Sequence, residues 1–126
     1  VRNVPLETVC VGEEPARNDT IMERLSPGAL IINATGKGKD TPGSPLTHDA
    51  IWPKKALIWE FNYRGELDFM RQAQLRQRDN DLSIEDGWLY FIHGWSTGIA
   101  EVFDLDIASS GPQFDELCKI AQSIRS

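Results

Sequence analysis

Asn33-Ala34-Thr35-Gly36 directly follows the apolar run Ala29-Leu30-Ile31-Ile32, and this junction is where the chain offers chemistry. A run that short and that continuous predicts a strand buried on both faces, as parallel sheets require. Open α/β sheets bind ligands beyond the carboxyl ends of their strands. The loop that follows holds Gly36, Gly38, Pro42, Gly43 and Pro45, so its backbone can approach a flat or charged ligand, and Thr35 offers a hydroxyl. The same composition also describes a turn-rich surface loop. A phosphate-binding P-loop is excluded. That motif needs a glycine five places before Gly-Lys and a Ser or Thr after the lysine; Asn33 and Asp40 stand there instead.

Three further side chains have types suited to proton transfer. Glu60 ends the apolar run that starts at Ala56, Asp86 precedes Gly87, and His93 follows among Phe91, Ile92 and Trp95. Strand-end acids serve as caps as readily as they serve as acid–base groups, and a partly buried histidine satisfied by hydrogen bonds reads from the same residues. A serine hydrolase is not supported, because Gly43-Ser44-Pro45 is no nucleophile elbow. Cys10 and Cys118 lie outside any metal-ligand spacing, so two reduced cysteines are expected, with a disulfide between them as the alternative.

The elements that must position these residues follow from periodicity. Val4 to Val11 is rich in β-branched residues and ends at Gly12, which predicts a strand. Asn18 is the expected N-cap of a short helix carrying Ile21, Met22 and Leu25, giving a strand-helix-strand unit with the Ala29 run. One or two helical turns capped by Thr47 are expected before Pro53. Ala56 to Phe61 predicts a second continuous apolar strand, ending in Glu60. Glu66 to Arg78 predicts a helix with Leu67, Phe69, Met70 and Ala73 inward and Arg71, Gln72, Gln74, Arg76 and Gln77 outward. Leu82 to Glu85 is a short strand. Trp88 to Phe103 is the longest helix; Gly94 and Gly98 lie four apart on it and imply a close neighbour on that face. Gly111 and Pro112 start a terminal helix at about 112–125, striped by Phe114, Leu117, Cys118, Ala121 and Ile124.

At 126 residues the chain has the size of one domain. A net charge of −6, with thirteen Lys and Arg residues forming no block, argues against a nucleic-acid partner. No apolar segment reaches bilayer length, and no signal-peptide pattern opens the chain, so a cytoplasmic setting is expected. The chain begins at Val1 without a methionine, which suggests a piece of a longer polypeptide.

Taken together, three strand exits resemble the carboxyl-terminal part of the shikimate and quinate dehydrogenase family over about residues 29 to 104. Ile31-Ile32-Asn33-Ala34-Thr35-Gly36, followed by Pro45 and Leu46, is similar to that family's strand ending in Asn-Ala-Thr. Ala56 to Glu66 is similar to its apolar strand ending in an acid, then a tyrosine turn and a glutamate; Glu60, Tyr63 and Glu66 stand at those places. Ile84-Glu85-Asp86-Gly87, leading to His93 and Ala100-Glu101-Val102-Phe103, is similar to its Asp-Gly exit and following helix.

The resemblance implies a fold class of α/β, a partial Rossmann-like, doubly wound parallel sheet with flanking helices, the carboxyl-terminal half only. It implies an NAD(P)-dependent oxidoreductase of aromatic amino acid biosynthesis, moving hydride between NADP or NAD and a small cyclic hydroxy acid. Asn33, Ala34, Thr35, Gly36, Gly87 and Tyr90 would border the nicotinamide, and Tyr63 would touch the substrate. No catalytic residue is expected in this chain: the family's lysine, aspartate and glycine-rich diphosphate loop have no counterpart in it. Two departures stand out. Gly94 occupies the place of a substrate-binding glutamine, and the turn Asn62-Tyr63-Arg64-Gly65 is one residue short and lacks Asn-Pro. The alternative is a non-catalytic nucleotide- or partner-binding module. In the intact strand order 3-2-1-4-5-6, the Val4 strand would not neighbour the Ala29 strand. The expectation is therefore that the two do not pair, and that the Ala29 edge associates with the missing half or with a second copy.

Overall fold

The computed structural model describes residues 5–125. Leu30–Asn33 (β1), Leu57–Glu60 (β2) and Ser83–Glu85 (β3) form one parallel sheet in the order β1-β2-β3. The register sets Ile31 beside Ile58 and Ile58 beside Ile84. Because side chains alternate along a strand, these three share one face, while Leu30, Ile32, Leu57 and Trp59 share the other.

The isoleucine face is the core. Helix α2, Asp68–Asn80, packs against β2 and β3 and buries Phe69 and Ala73 with Ala56, Ile58, Leu82, Trp52, Leu46 and Met22. Trp52 and Phe69 meet at 5.4 Å between ring centroids. The opposite face is mostly bare: Leu30 is 54% and Ile32 43% exposed. This corrects the expectation of a β1 buried on both sides. Helix α3 (Trp88–Phe103) reaches that face through Tyr90 against Trp59.

Several elements depart from expectation. Pro5 to Val11 forms no strand, and Leu6 and Val9 are exposed; Val4 lies outside the described residues. A strand needs a neighbour's ladder, and this segment has none. With no strand formed there, the expectation about its pairing with β1 has no strand to apply to. Helix α1 is Pro15–Met22, starting earlier than an Asn18 cap would place it, because Pro15 fits the first helical position. Asn18 and Asp19 instead bind the next connection: Asn18 Nδ2 donates to the Pro45 carbonyl at 2.8 Å, and the Thr47 N–H and hydroxyl donate to Asp19.

Thr47 caps only a single turn, its hydroxyl accepting from Asp49 N–H at 3.1 Å, rather than helical turns up to Pro53. Gln72, expected outside, is buried; its amide accepts from the Ser44 hydroxyl at 2.7 Å and donates to the Leu46 carbonyl. The glycine loop thus recruits a polar side chain into the core side of α2. Helix α2 starts at Asp68 because Leu67 is left-handed, with φ of 52°, and it closes on left-handed Asp81.

Helix α3 has the expected bounds, but its apolar stripe is largely uncovered. Only Ile92 and Ser96 are buried along it, while Trp95, Ile99, Val102 and Phe103 face outward. A methyl group added at Gly94 or Gly98 would meet nothing within 4 Å, so no described residue makes the close approach expected there. Helix α4, Pro112–Ser123, starts at Gly111-Pro112 as expected and docks on α3 through Phe114, which lies 4.4 Å from the His93 ring.

Candidate functional site at the carboxyl edge of the sheet

Parallel strands deliver their carboxyl ends to one edge. Ala34, Thr35 and Gly36 follow β1, Tyr63 follows β2, and Gly87 and Tyr90 follow β3. The outer two tips are separated by about 10 Å, two strand spacings. The expected site residues therefore share one edge of the sheet, with the β2 exit between them.

A buried polar cluster organises that edge. Asn33, Glu60 and Asn62 are almost wholly inaccessible. The Glu60 carboxylate accepts from Asn33 Nδ2 at 2.8 Å, from the Asn62 N–H at 2.9 Å and from Asn62 Nδ2 at 2.6 Å. Burial pushes the Glu60 carboxyl pKa above its ordinary value; the three hydrogen bonds oppose that rise without cancelling it. Asn62 Nδ2 also donates to the Lys37 carbonyl at 3.1 Å, which ties the β1 loop to the β2 exit.

Asn33 faces two ways. Its Oδ1 accepts from the Thr35 N–H at 3.1 Å and from the Thr35 hydroxyl at 2.7 Å. The Thr35 hydroxyl in turn accepts from the Lys37 N–H at 3.2 Å. The N–H groups of Thr35 and Lys37 and the threonine hydroxyl are thus engaged within the loop. What this segment presents outward is the exposed Ala34 and Thr35 and the half-buried Gly36, and with its N–H groups and hydroxyl engaged that surface suits flat contact more than cradling a phosphate. The far side of the loop is held too. Leu67 N–H donates to the Gly38 carbonyl at 3.0 Å, and Gly65 lies so close that its added Cβ would come within 2.3 Å of that oxygen.

Gly87 is required by packing. A Cβ there would lie 1.9 Å from the Phe61 carbonyl oxygen, and its N–H donates to the Asn62 carbonyl at 3.2 Å. Tyr90, one helical turn on, stacks on Phe61 at 4.9 Å and meets Trp59 edge-on at 5.9 Å. Tyr63 lies on Phe91 at 4.1 Å, with the Lys39 ammonium 5.8 Å and the Arg64 guanidinium 5.9 Å from its ring centroid. Both cations lie within 4.0 Å of the Asp40 carboxylate.

Glu60, Asp86 and His93 do not form an acid–base set. Glu60 is enclosed by the two asparagines; Asp86 pairs with Arg125 at 2.7 Å and accepts from the Trp88 N–H at 2.9 Å; His93 stacks on Phe114. Among the described residues no group of three His, Cys, Asp or Glu side chains could hold a metal ion. Both cysteines are free. Beside the edge, a groove of about 490 Å³ opens between the bare sheet face and α3, lined by Leu57, Trp59, Glu85, Leu89, Tyr90 and His93.

Arg125 was not legible as a site residue. Besides Asp86 it donates to the Tyr63 carbonyl at 2.9 Å and lies 4.7 Å over the Trp88 ring, so α4 returns the chain to the β2 and β3 exits. Nor were the Asn33–Glu60–Asn62 contacts. Their signal was present as amides flanking two strand ends, but which strands neighbour each other is needed to pair them. No family model, curated protein or solved structure matches this chain. None of the helices is long and apolar enough to cross a membrane among the described residues.

Proposed function

We propose that this chain is the carboxyl-terminal part of an NAD(P)-binding, Rossmann-like domain from a shikimate/quinate dehydrogenase-like oxidoreductase. The observation that carries this reading is the shared edge: three parallel strands in sequential order bring Ala34–Gly36, Gly87 and Tyr90 to one end of the sheet. In the proposed chemistry, hydride passes between the nicotinamide of NADP or NAD and a cyclic hydroxy acid. Residues of this chain do no proton transfer. Ala34 and Gly36 offer a backbone surface to the nicotinamide, Tyr90 flanks it, and Tyr63, held between Phe91 and two cations, faces the substrate side. The bare β1 edge takes the rest of the sheet, from the remaining half or from a second copy.

The test uses the intact protein with NADP, NAD, shikimate and quinate. Turnover with either acid supports the reading. Absence of both turnover and cofactor binding refutes it.

A second reading has its own observation in favour. The outward face of α3, with Gly94 where the family's glutamine would stand, is apolar and open. That suits a non-catalytic module whose sheet and helix hold a nucleotide or a partner. Cofactor binding without turnover would favour it.

A further inference from the structure

We infer that Glu60 is a positioning residue: its two carboxylate oxygens fix the direction of the Asn33 side-chain amide, and through it the conformation of the Thr35–Lys37 loop. The inference rests on the preceding reading only for what the loop contacts, not for how the loop is held.

Hydrogen-bond polarity dictates the arrangement. Three donors aim at Glu60: Asn33 Nδ2 at 2.8 Å on one oxygen, the Asn62 N–H at 2.9 Å and Asn62 Nδ2 at 2.6 Å on the other. A backbone N–H cannot reverse, so the oxygen facing Asn62 must remain an acceptor. On the other side the Thr35 N–H, also irreversible, requires Asn33 Oδ1 to face it at 3.1 Å. The Asn33 amide is caught between these two demands and has one orientation that meets both. A group with two acceptor oxygens is therefore needed at position 60, and a carboxylate supplies it.

An amide of the same shape breaks the chain at a definable point. In Glu60→Gln, the carbonyl must face Asn62, which turns the NH₂ toward Asn33 Nδ2. Two donors then confront each other inside a site that excludes water. Relief by flipping Asn33 moves the conflict to the Thr35 N–H and takes away the acceptor of the Thr35 hydroxyl, whose oxygen accepts from the Lys37 N–H at 3.2 Å, so the group that orients that hydroxyl is lost. The conflict is cancelled by a second substitution. In Glu60→Gln with Asn33→Asp, the aspartate accepts from Gln on one oxygen and from Thr35 on the other, with the same total charge. The contact not restored is Asn33 Nδ2 to the Lys37 carbonyl, at 3.4 Å the longest of the set.

The experiment is amide hydrogen exchange by NMR on the ¹⁵N-labelled chain without ligand. In Glu60→Gln, the Thr35 amide, bonded to the buried Asn33 side chain, should exchange at least about tenfold faster, the size expected for losing a hydrogen bond to a buried partner, and the Lys37 amide, whose bond to the Thr35 hydroxyl is exposed, should speed up by less. Amides of β2 and α2 should keep their protection. The double variant should return Thr35 to wild-type protection. Unchanged exchange at Thr35 in the single variant, or a double variant no better than the single, overturns the inference. If Glu60→Gln does not fold, the double variant decides: a folded double variant with Thr35 protected supports the relay, and an unfolded or unprotected one refutes it. Because no cofactor enters the measurement, an intact protein that neither turns over nor binds NADP or NAD would refute the dehydrogenase reading and leave this result standing.

Discussion

Gly87→Ala should be a damaging single-methyl change at the carboxyl edge, and its size follows from where the methyl must go. The residue has φ of −83° and ψ of 2°, which alanine adopts, so torsional strain adds little. The cost is steric. The added carbon would stand 1.9 Å from the Phe61 carbonyl oxygen and 2.4 Å from its carbon, both backbone atoms that no side-chain rotation can clear. Ordinary contact requires the β2 and β3 exits to separate by roughly 1.5 Å. That movement stretches the 3.2 Å bond from Gly87 N–H to the Asn62 carbonyl and disturbs the Asn62 contacts to Glu60. Overpacking of a well-filled site costs about 1–3 kcal/mol. With a hydrogen bond strained besides, about 3 kcal/mol is expected, or a fall in melting temperature of about 10 °C for a domain of this size. Thermal unfolding followed by far-ultraviolet circular dichroism measures it. The control is Gly94→Ala, where the methyl meets nothing within 4 Å in a helix interior and should stabilise by about 0.5–1 kcal/mol. If Gly87→Ala melts within about 2 °C of the wild type, the close approach of the two exits is not present in solution and the edge geometry described above fails with it.

Three other outcomes follow from the same contacts. Arg125→Ala removes a partly buried ion pair with Asp86, a bond to the Tyr63 carbonyl and the stack on Trp88; a loss of about 1–3 kcal/mol is expected in urea unfolding, and a loss below about 0.3 kcal/mol would show that α4 does not anchor the edge. Truncating outward residues of α3, as in Trp95→Ala or Phe103→Ala, should change the stability of the chain alone by no more than about 0.5 kcal/mol, whereas Phe69→Ala should cost about 3–5 kcal/mol; equal losses would mean that something in solution covers α3. The raised Glu60 pKa means that the folded state holds this proton more tightly than the unfolded chain does. Its contribution to stability is therefore greatest below the ordinary carboxyl pKa and declines as pH rises through the raised value. Melting temperatures measured against pH should lose that component in Glu60→Gln, and identical slopes in the two proteins would refute the assignment.

The parts of the fold that could be read ahead are those dictated by local pattern. The Ala29–Ile32 and Ala56–Glu60 runs, the stripe from Trp88 to Phe103 and the Gly111-Pro112 start depend on residues a few places apart, and each formed within a residue or two of expectation. Pro5 to Val11 failed for the opposite reason. Its β-branched residues favour extension, but a ladder partner is a property of the rest of the molecule. Gln72 reads as an outward residue from helical phase alone; it is buried because Ser44 and Leu46, far away in sequence, need its amide. Thr35 illustrates the same limit at the site. The sequence offers a hydroxyl beside a loop, and only the fold turns that hydroxyl onto Asn33.

The two faces of the sheet divide the labour of this chain unequally, and the division bears on every functional test. On the isoleucine face, α2 and the glycine loop close over β2, and buried side-chain polar atoms of the described residues all have hydrogen-bond partners. That side needs nothing further to fix the carboxyl edge, so the positions of Asn33, Glu60 and Asn62 should be measurable in the chain alone. On the other face, Leu30, Ile32 and Leu57 are left partly in water beside the open stripe of α3. Burying apolar surface contributes about 25 cal/mol per Å², so whatever covers this face adds stability without having to build the edge. Stability and the geometry of the carboxyl edge are therefore separable here. Ile32→Lys should leave exchange at Thr35 unchanged while weakening association through the bare sheet face, as read by sedimentation velocity in a preparation that associates. Loss of Thr35 protection in Ile32→Lys would show instead that the edge depends on its cover.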